Sequence, residues 1–304
     1  MTESLLKTGK HIVTAITRED STTKLPEGVH VKKINYDNHA SIVEALRGQD
    51  ALVITMGVTA PKDQQTKLIN AAADANVPWV FPNEWSPDTA NESMSHEMLV
   101  GDGLKAAREH LSNLGKSSWI AVSTGFWYEW SLAIAPAYGF DFANRKVTFF
   151  DEGETKICTS TWPQVGRAVA SLLSLKIHAD GAGDKSPCLD QFKNGWIYVS
   201  SFTVSQKDMF ESVLRVTKTK PEEWKITKEP VKERYTKGVQ QMMQGERVGF
   251  AKGLYSRVFY PDDCGNVEKT RGLQNEMLGL PKEDIDEYTK IAIDRSEDVM
   301  KQWG

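Results

Sequence analysis

Four stretches of the chain are almost continuously apolar: His11 to Thr17, Ala51 to Met56, Val77 to Phe81 and Trp119 to Val122. A strand with one wet face alternates apolar and polar residues. Runs this continuous read instead as parallel strands covered on both faces. Amphipathic helices separate them. Ser41 to Leu46 places Ile42, Val43 and Leu46 on one face, with Asp37 and Asn38 as cap candidates and Gly48 as a stop. Lys62 to Ala75 follows Pro61 and turns Leu68, Ile69 and Ala72 inward, with Asn76 as a left-handed stop. Gly103 to Leu114 ends in the same way at Gly115. Strand and helix in strict alternation with short loops predict an α/β fold built on a Rossmann-like, doubly wound parallel sheet.

The amino end departs from that pattern. Leu5 to Lys10 reads as a helix end and turn, and the strand after it delivers Arg18. In a Rossmann unit the residue that meets the adenine ribose lies about 20 residues beyond the glycine motif. Counting back from Arg18 puts those glycines before Met1, so the sheet is expected to be missing its first strand. In the order 3-2-1-4-5-6 that strand is central. Its neighbours must then either pair directly or leave a poorly stable sheet. Natural chains seldom tolerate this, so the expectation is a truncated form whose coding sequence is incomplete.

Beyond residue 140 the pattern changes. A short strand, Lys146 to Phe150, precedes the turn Asp151-Glu152-Gly153-Glu154, and Thr159 to Pro163 introduces a helix from Gln164 to Leu175. Gly181 to Pro187 is the most loop-like stretch, before a strand at Trp196 to Phe202. Ser205-Gln206-Lys207-Asp208 opens a helix by a capping-box pattern. The rest reads as charged helices, with Trp224, Tyr235, Phe250, Tyr255 and Phe259 as inward anchors. The division expected is a dinucleotide-binding domain over residues 1–145, incomplete at its amino end, and a smaller mixed α/β cap over residues 146–304 interleaved with it.

Composition narrows the partners. At 304 residues the chain can bury a full core, and a net charge of −4 gives no footprint for nucleic acid. Nothing approaches the roughly 18 consecutive apolar residues of a membrane span, and the first residues lack the apolar core of a signal peptide. A cytosolic, cytoplasmic protein is expected. Cys158, Cys188 and Cys264 lie far apart, with no histidine at ligand spacing, and read as reduced thiols rather than a metal site.

Open α/β sheets bind ligands outside the carboxyl ends of their strands. The first strand ends at Thr17-Arg18, where an arginine supplies a charged fork for a 2'-phosphate, or else is solvated or paired with Glu19 or Asp20. Thr55-Met56-Gly57-Val58 ends the next, its glycine either a close approach to a ligand or an ordinary turn. Pro82-Asn83-Glu84-Trp85 and Ser123-Thr124-Gly125-Phe126-Trp127 end the following two and mix polar groups with aromatics, as a small-molecule pocket does and as a core also does.

At these residues the chain resembles a known family. LLKTGKHIVTAITR, DALVITMG, VPWVFPNEWSPDTAN, SSWIAVSTGFWYEWSLA and TSTWPQVGRAVASLL, in this order, are similar to the NmrA-like branch of the atypical short-chain dehydrogenases, related to isoflavone reductases. The likeness runs from residue 5 to about residue 215. It implies NADP(H) binding with Thr17 and Arg18 at the 2'-phosphate end, Thr55, Met56 and Gly57 along the dinucleotide, and Asn83, Glu84 and Thr124, Gly125 and Phe126 near the nicotinamide. Reductases of this kind act on small aromatic or enone compounds; in the regulatory branch the cofactor is sensed rather than consumed.

Departures limit the transfer. The family's glycine-rich segment has no counterpart, so weak or no dinucleotide affinity is expected of the chain as given. No tyrosine is followed four residues later by lysine, as in ordinary short-chain dehydrogenases. Isoflavone-type reductases carry a helix lysine four residues before an arginine; four before Arg108 is Leu104, and Lys105 stands one step on, rotated by about 100°. Lys105 is nevertheless the first candidate to move a proton, and Glu84, if Trp79 and Trp85 shield it, the second. Two functions remain open: an NADPH-dependent reductase of a small-molecule substrate, and a non-catalytic regulator that senses the nucleotide and contacts a protein partner.

Overall fold

The computed structural model describes residues 1–57 and 60–303. In chain order its strands are β1 (Thr14–Arg18), β2 (His30–Ile34), β3 (Ala51–Val53), β4 (Trp79–Phe81), β5 (Ser118–Ser123), β6 (Phe126–Trp127), β7 (Phe140–Asp141), β8 (Lys146–Phe150), β9 (Ile157–Ser160), β10 (Gly195–Tyr198), β11 (Phe202–Val204) and β12 (Lys225–Glu229). A parallel sheet runs β10-β5-β4-β3, and β1 and β2 form a separate parallel pair, with Thr14 opposite His30 and Arg18 opposite Ile34. This is a Rossmann-like doubly wound sheet that stands open at its centre. Of the two outcomes available to it, direct pairing of β1 with β3 does not occur among the described residues. A cleft of about 880 Å³ lies between them.

Helices hold the halves of the open sheet in place from both faces. Helix His39–Leu46 is capped by Asn38, whose side chain accepts from the Ser41 N–H, and buries Ile42, Ala45 and Leu46. Helix Gln64–Asp74 buries Leu68 and Ile69 in the same cluster as Ile34, Leu52 and Val80, so one apolar body spans β2, β3 and β4. Asn76 takes the left-handed conformation after that helix, at φ 57°, as Gly115 does after Gly101–Leu114, at φ 62°. On the opposite face Leu5, Val13, Ala170 and Leu173 join the first helix, Thr2–Lys7, to the helix Trp162–Leu173.

Two further mixed three-stranded sheets, β11-β9-β6 and β12-β8-β7, take β6 and β7 from before residue 146 and their other strands from beyond it. Their core includes Tyr128, Tyr138, Phe140, Phe150, Met209 and Phe259. Of the expected anchors, Trp224, Tyr255 and Phe259 are buried, while Tyr235 and Phe250 are half-buried. Helix Ile285–Trp303 closes this core: the Tyr128 hydroxyl and Thr289 Oγ1 lie 2.7 Å apart, and Ser212 Oγ donates to Thr289 over 2.7 Å. The chain then crosses between halves, because β10 returns to pair with β5.

Several elements differ from the sequence reading. His11 to Val13 precede β1 rather than belong to it, and β3 ends at Val53. Trp196 to Phe202 divides into β10 and β11, which sit in different sheets. The segment read as wholly helical contains β12, and β2 carried no apolar signal. Both are edge strands, HVKKI and KITKE, whose lysines keep a solvent-facing edge from pairing with other chains and also erase the apolar run.

Candidate nucleotide site

Thr17, at the end of β1, and Thr55 and Met56, just beyond β3, all line the central cleft. Arg18 stands beside it with a side chain 68% exposed and one carboxylate nearby, Asp20 at 3.5 Å. Tyr36 lies on the same wall. Burial pushes its hydroxyl above the usual range, and the Arg18 cation pulls it part of the way back. Tyr36 was missed because it follows β2, the strand whose lysines hide it.

Asn83 supports the cleft from behind. The Met56 N–H donates to Asn83 Oδ1 at 2.9 Å, and Asn83 Nδ2 donates back to the Met56 carbonyl at 3.1 Å. The Asn83 N–H itself donates to Gln65 Oε1 at 2.7 Å, and the Trp85 indole N–H to the Ile54 carbonyl at 2.9 Å. A carboxamide matched to both backbone groups of Met56 fixes the path of the chain beyond β3. Around Gly57 a Cβ would meet nothing within 4 Å. Val58, read as part of the same strand end, lies outside the described residues.

Thr124, Gly125 and Phe126 form the crossing from β5 to β6 and do not line the cleft. The Thr124 N–H donates to the Ser86 carbonyl at 3.0 Å, Ser160 Oγ to the Thr124 carbonyl at 2.6 Å and Thr159 Oγ1 to the Phe126 carbonyl at 2.6 Å. The Phe126 ring packs on Tyr255 with centroids 4.1 Å apart.

The two residues named for proton transfer do not open on the cleft either. Glu84 is 2% exposed and is hydrogen-bonded by the Arg108 guanidinium and the Thr89 hydroxyl. That guanidinium lies beside the edge-to-face pair of Trp119 and Trp196, 5.8 and 4.9 Å from their centroids, and the Trp196 indole donates to Thr89 at 3.1 Å. Trp119 and Trp196, which carried no sequence signal here, flank this cluster. Burial pushes the Glu84 carboxyl up, and Arg108 draws it back. Lys105 points outward, its side chain 54% exposed and 4.0 Å from Glu92. Arg108 and Leu111 take the inward face of that helix, and Lys105, about 60° from Arg108 and about 120° from Leu111, lies at its exposed margin.

A second buried carboxylate had no sequence signal. Glu129 is 2% exposed; its Oε1 accepts the Trp162 N–H at 2.8 Å, and its Oε2 has no partner. Burial pushes its pKa up. A carboxyl whose folded-state pKa is raised favours folding in its protonated form, and this contribution is lost as pH rises through the folded value. Glu129→Gln is therefore expected to raise the melting temperature, relative to the unaltered chain, more at pH 8 than at pH 4. Thermal unfolding across that range is the measurement, and an equal shift at both ends would remove the buried charge as its cause.

Residues 1–128 match the model of the NmrA-like family. No curated protein matches the chain in sequence. Among solved structures, the chain is similar to an NADPH-dependent quinone oxidoreductase from Escherichia coli complexed with NADPH, at 17% identity and a TM-score of 0.65 over 95% of this chain and 93% of that one. It is also similar to AtPrR2 with NADP+ and (+)-pinoresinol, at 17% identity and a TM-score of 0.70 over 95% and 93%. An isoflavone reductase gives 16% identity and a TM-score of 0.65 over 94% and 92%. At such identities these likenesses show the fold, and the matched segment makes residues 1–128 similar to the NmrA-like family.

Proposed function

We propose that this protein binds NADP(H) as a reductase of small aromatic or enone compounds does, with Arg18 taking the 2'-phosphate and Thr55 and Met56 flanking the dinucleotide. Arg18 carries the reading. It sits at the carboxyl end of β1, largely exposed, beside Tyr36 and the cleft, where an acidic residue would mark the unphosphorylated cofactor. The solved neighbours with NADPH or NADP+ support it. Affinity is expected to be weak, because the cleft is open where a Rossmann unit carries its central strand and glycine loop.

Titration with NADPH and with NADH, followed by nicotinamide fluorescence, tests the assignment. Arg18→Ala is expected to weaken NADPH by about 1.5–3 kcal/mol, the range of charged hydrogen bonds, and to leave NADH nearly unchanged. Equal loss for both cofactors removes Arg18 from the 2'-phosphate. A second reading, a nucleotide-sensing regulator that contacts a protein partner, is favoured by one observation: neither Lys105 nor Glu84 opens on the cleft. NADPH oxidation with a panel of enones and aromatic compounds separates the two, since the regulator binds without turnover.

A further inference from the structure

Residues 272–284 contain neither helix nor strand, yet they lie along the outer edge of β10. Side-chain amides hold them there in place of a ladder. Gln274 Oε1 accepts the Tyr198 N–H at 2.7 Å, while the Gln274 N–H donates to the Tyr198 carbonyl at 2.9 Å. Asn275 does the same for Ser200: its Oδ1 accepts the Ser200 N–H at 3.2 Å and its Nδ2 donates to the Ser200 carbonyl at 2.6 Å. Leu278 then packs into the buried cluster of Trp79, Ile120, Val122 and Leu172. The far end of the segment is fastened to the first turn of the helix Trp162–Leu173. Gln164 Nε2 donates to the Pro281 carbonyl at 2.8 Å, and Glu283 accepts from Thr161 Oγ1 at 2.8 Å, from Ser201 Oγ at 2.5 Å and from the Arg167 guanidinium.

Glu129, on the short helix Tyr128–Ser131, grips the next residue of that turn, since its Oε1 accepts the Trp162 N–H. Two carboxylates from different elements thus hold consecutive residues, Thr161 and Trp162. Their surroundings are unequal. Glu283 is met by Thr161, Ser201 and Arg167, whereas Glu129 has the Trp162 N–H and, among the described residues, nothing on Oε2. Glu283 disfavours a charge on Glu129, and Arg295 of the helix Ile285–Trp303 favours one. Arg295 lies over the rings of Trp162 and Trp130, 4.2 and 5.8 Å from their centroids. Arg167 is taken up by Glu283 and Gln164, and Arg215 and Asp286 pair with each other. The Tyr288 hydroxyl, beside Glu283, is pushed up to about 12 and stays neutral. Burial outweighs these charges and pushes the Glu129 carboxyl up. An ionised Glu129 is therefore a buried charge with one donor, and hydrating it requires a neighbour to move. β9 is laddered on both sides, by β11 and β6. The segment 272–284 is held chiefly by side chains, so it is the element that opens at least cost.

We propose that residues 272–284 are a proton-operated strap, fastened at the first turn of the helix Trp162–Leu173 while Glu129 carries a proton and let go there when Glu129 ionises. Rising pH then uncovers the outer edge of β10 and the apolar seat of Leu278, and falling pH covers them again. The device does not depend on the nucleotide reading.

Hydrogen exchange of the full chain without nucleotide, corrected for the intrinsic rise of amide exchange with pH, is the test. From about pH 5 to about pH 9, protection at the amides of Gln274, Leu278 and Leu280 is expected to fall by about tenfold or more, while β5 and β9 keep theirs. Glu129→Gln cannot ionise and is expected to hold the strap closed throughout. Arg295→Gln gives a readout that a packing role would not move: it removes the cation that favours the charged carboxylate, so the fall shifts to higher pH. The proposal is overturned by strap protection that is constant with pH in the unaltered chain, or that falls equally in Glu129→Gln. It is overturned as well by a fall that β5 and β9 share, which marks global unfolding, or by one that Arg295→Gln leaves in place or moves to lower pH.

Discussion

Replacing Arg108 by methionine is expected to cost about 3–5 kcal/mol of stability, the penalty of leaving a buried charge without its partner. Arg108 and Glu84 have side chains only 8% and 2% exposed. The pair is built from distant parts of the chain: Glu84 follows β4, Arg108 comes from the helix Gly101–Leu114, Trp119 lies on β5 and Trp196 on β10. Removing the guanidinium strands a carboxylate whose Oε2 already lacks a partner, and it removes the cation from beside two indoles. Methionine keeps much of the length and packing. The remedy follows from the same physics, because Glu84→Gln added to Arg108→Met takes away the orphaned charge. Urea unfolding of the two single variants and the double should show the double clearly more stable than Arg108→Met alone. Losses that simply add would mean the two residues are not coupled, and that the role given to the pair is wrong.

That cluster also shows where the sequence stopped being legible. The alternation of strand and helix, the Asn38 cap, the left-handed Asn76 and Gly115 and the capping box at Ser205 are local rules, and each is found in the structure. β2 and β12 were hidden because an edge strand protected by lysines loses the apolar run that betrays a buried one. Trp196 to Phe202 read as one strand because local apolarity does not say where the chain leaves one sheet for another. The exposure of Lys105 was legible only in part, since three residues before Arg108 it stands about 60° from it around the helix, and about 120° from Leu111. What Arg108 meets on the inward face was not. A charge, its countercharge and two indoles separated by more than a hundred residues carry no joint signal in one sequence. That β1 and β3 would not be consecutive neighbours in one sheet was legible from a count, but whether they would close up was not. Packing decides it: one apolar cluster ties β2 to the helices and strands beyond the cleft, while another anchors the first helix on the opposite face.

Gly125→Ala is expected to destabilise the chain by about 3 kcal/mol or more, through strain at a positive φ and a steric clash acting together. Gly125 has φ +63°, a conformation that L side chains rarely adopt, and a Cβ there would lie 2.1 Å from the Cys158 carbonyl oxygen and 2.8 Å from its carbon. Those atoms are backbone of β9 and cannot swing aside. β9 is the middle strand of β11-β9-β6, with Phe126 in register with Thr159, so moving it breaks pairing on both sides. Gly57→Ala supplies the contrast, since its added Cβ meets nothing within 4 Å. That substitution is expected to change stability by no more than about 0.5 kcal/mol. Both glycines end strands of the same sheet and were equal candidates for contact with a dinucleotide. Unfolding measurements distinguish a glycine required by a neighbouring strand from one that is not, and NADPH titration of Gly57→Ala then asks whether the second is required by a ligand. If Gly125→Ala unfolds like the unaltered chain, the close approach of β6 to β9 is not what demands a glycine there.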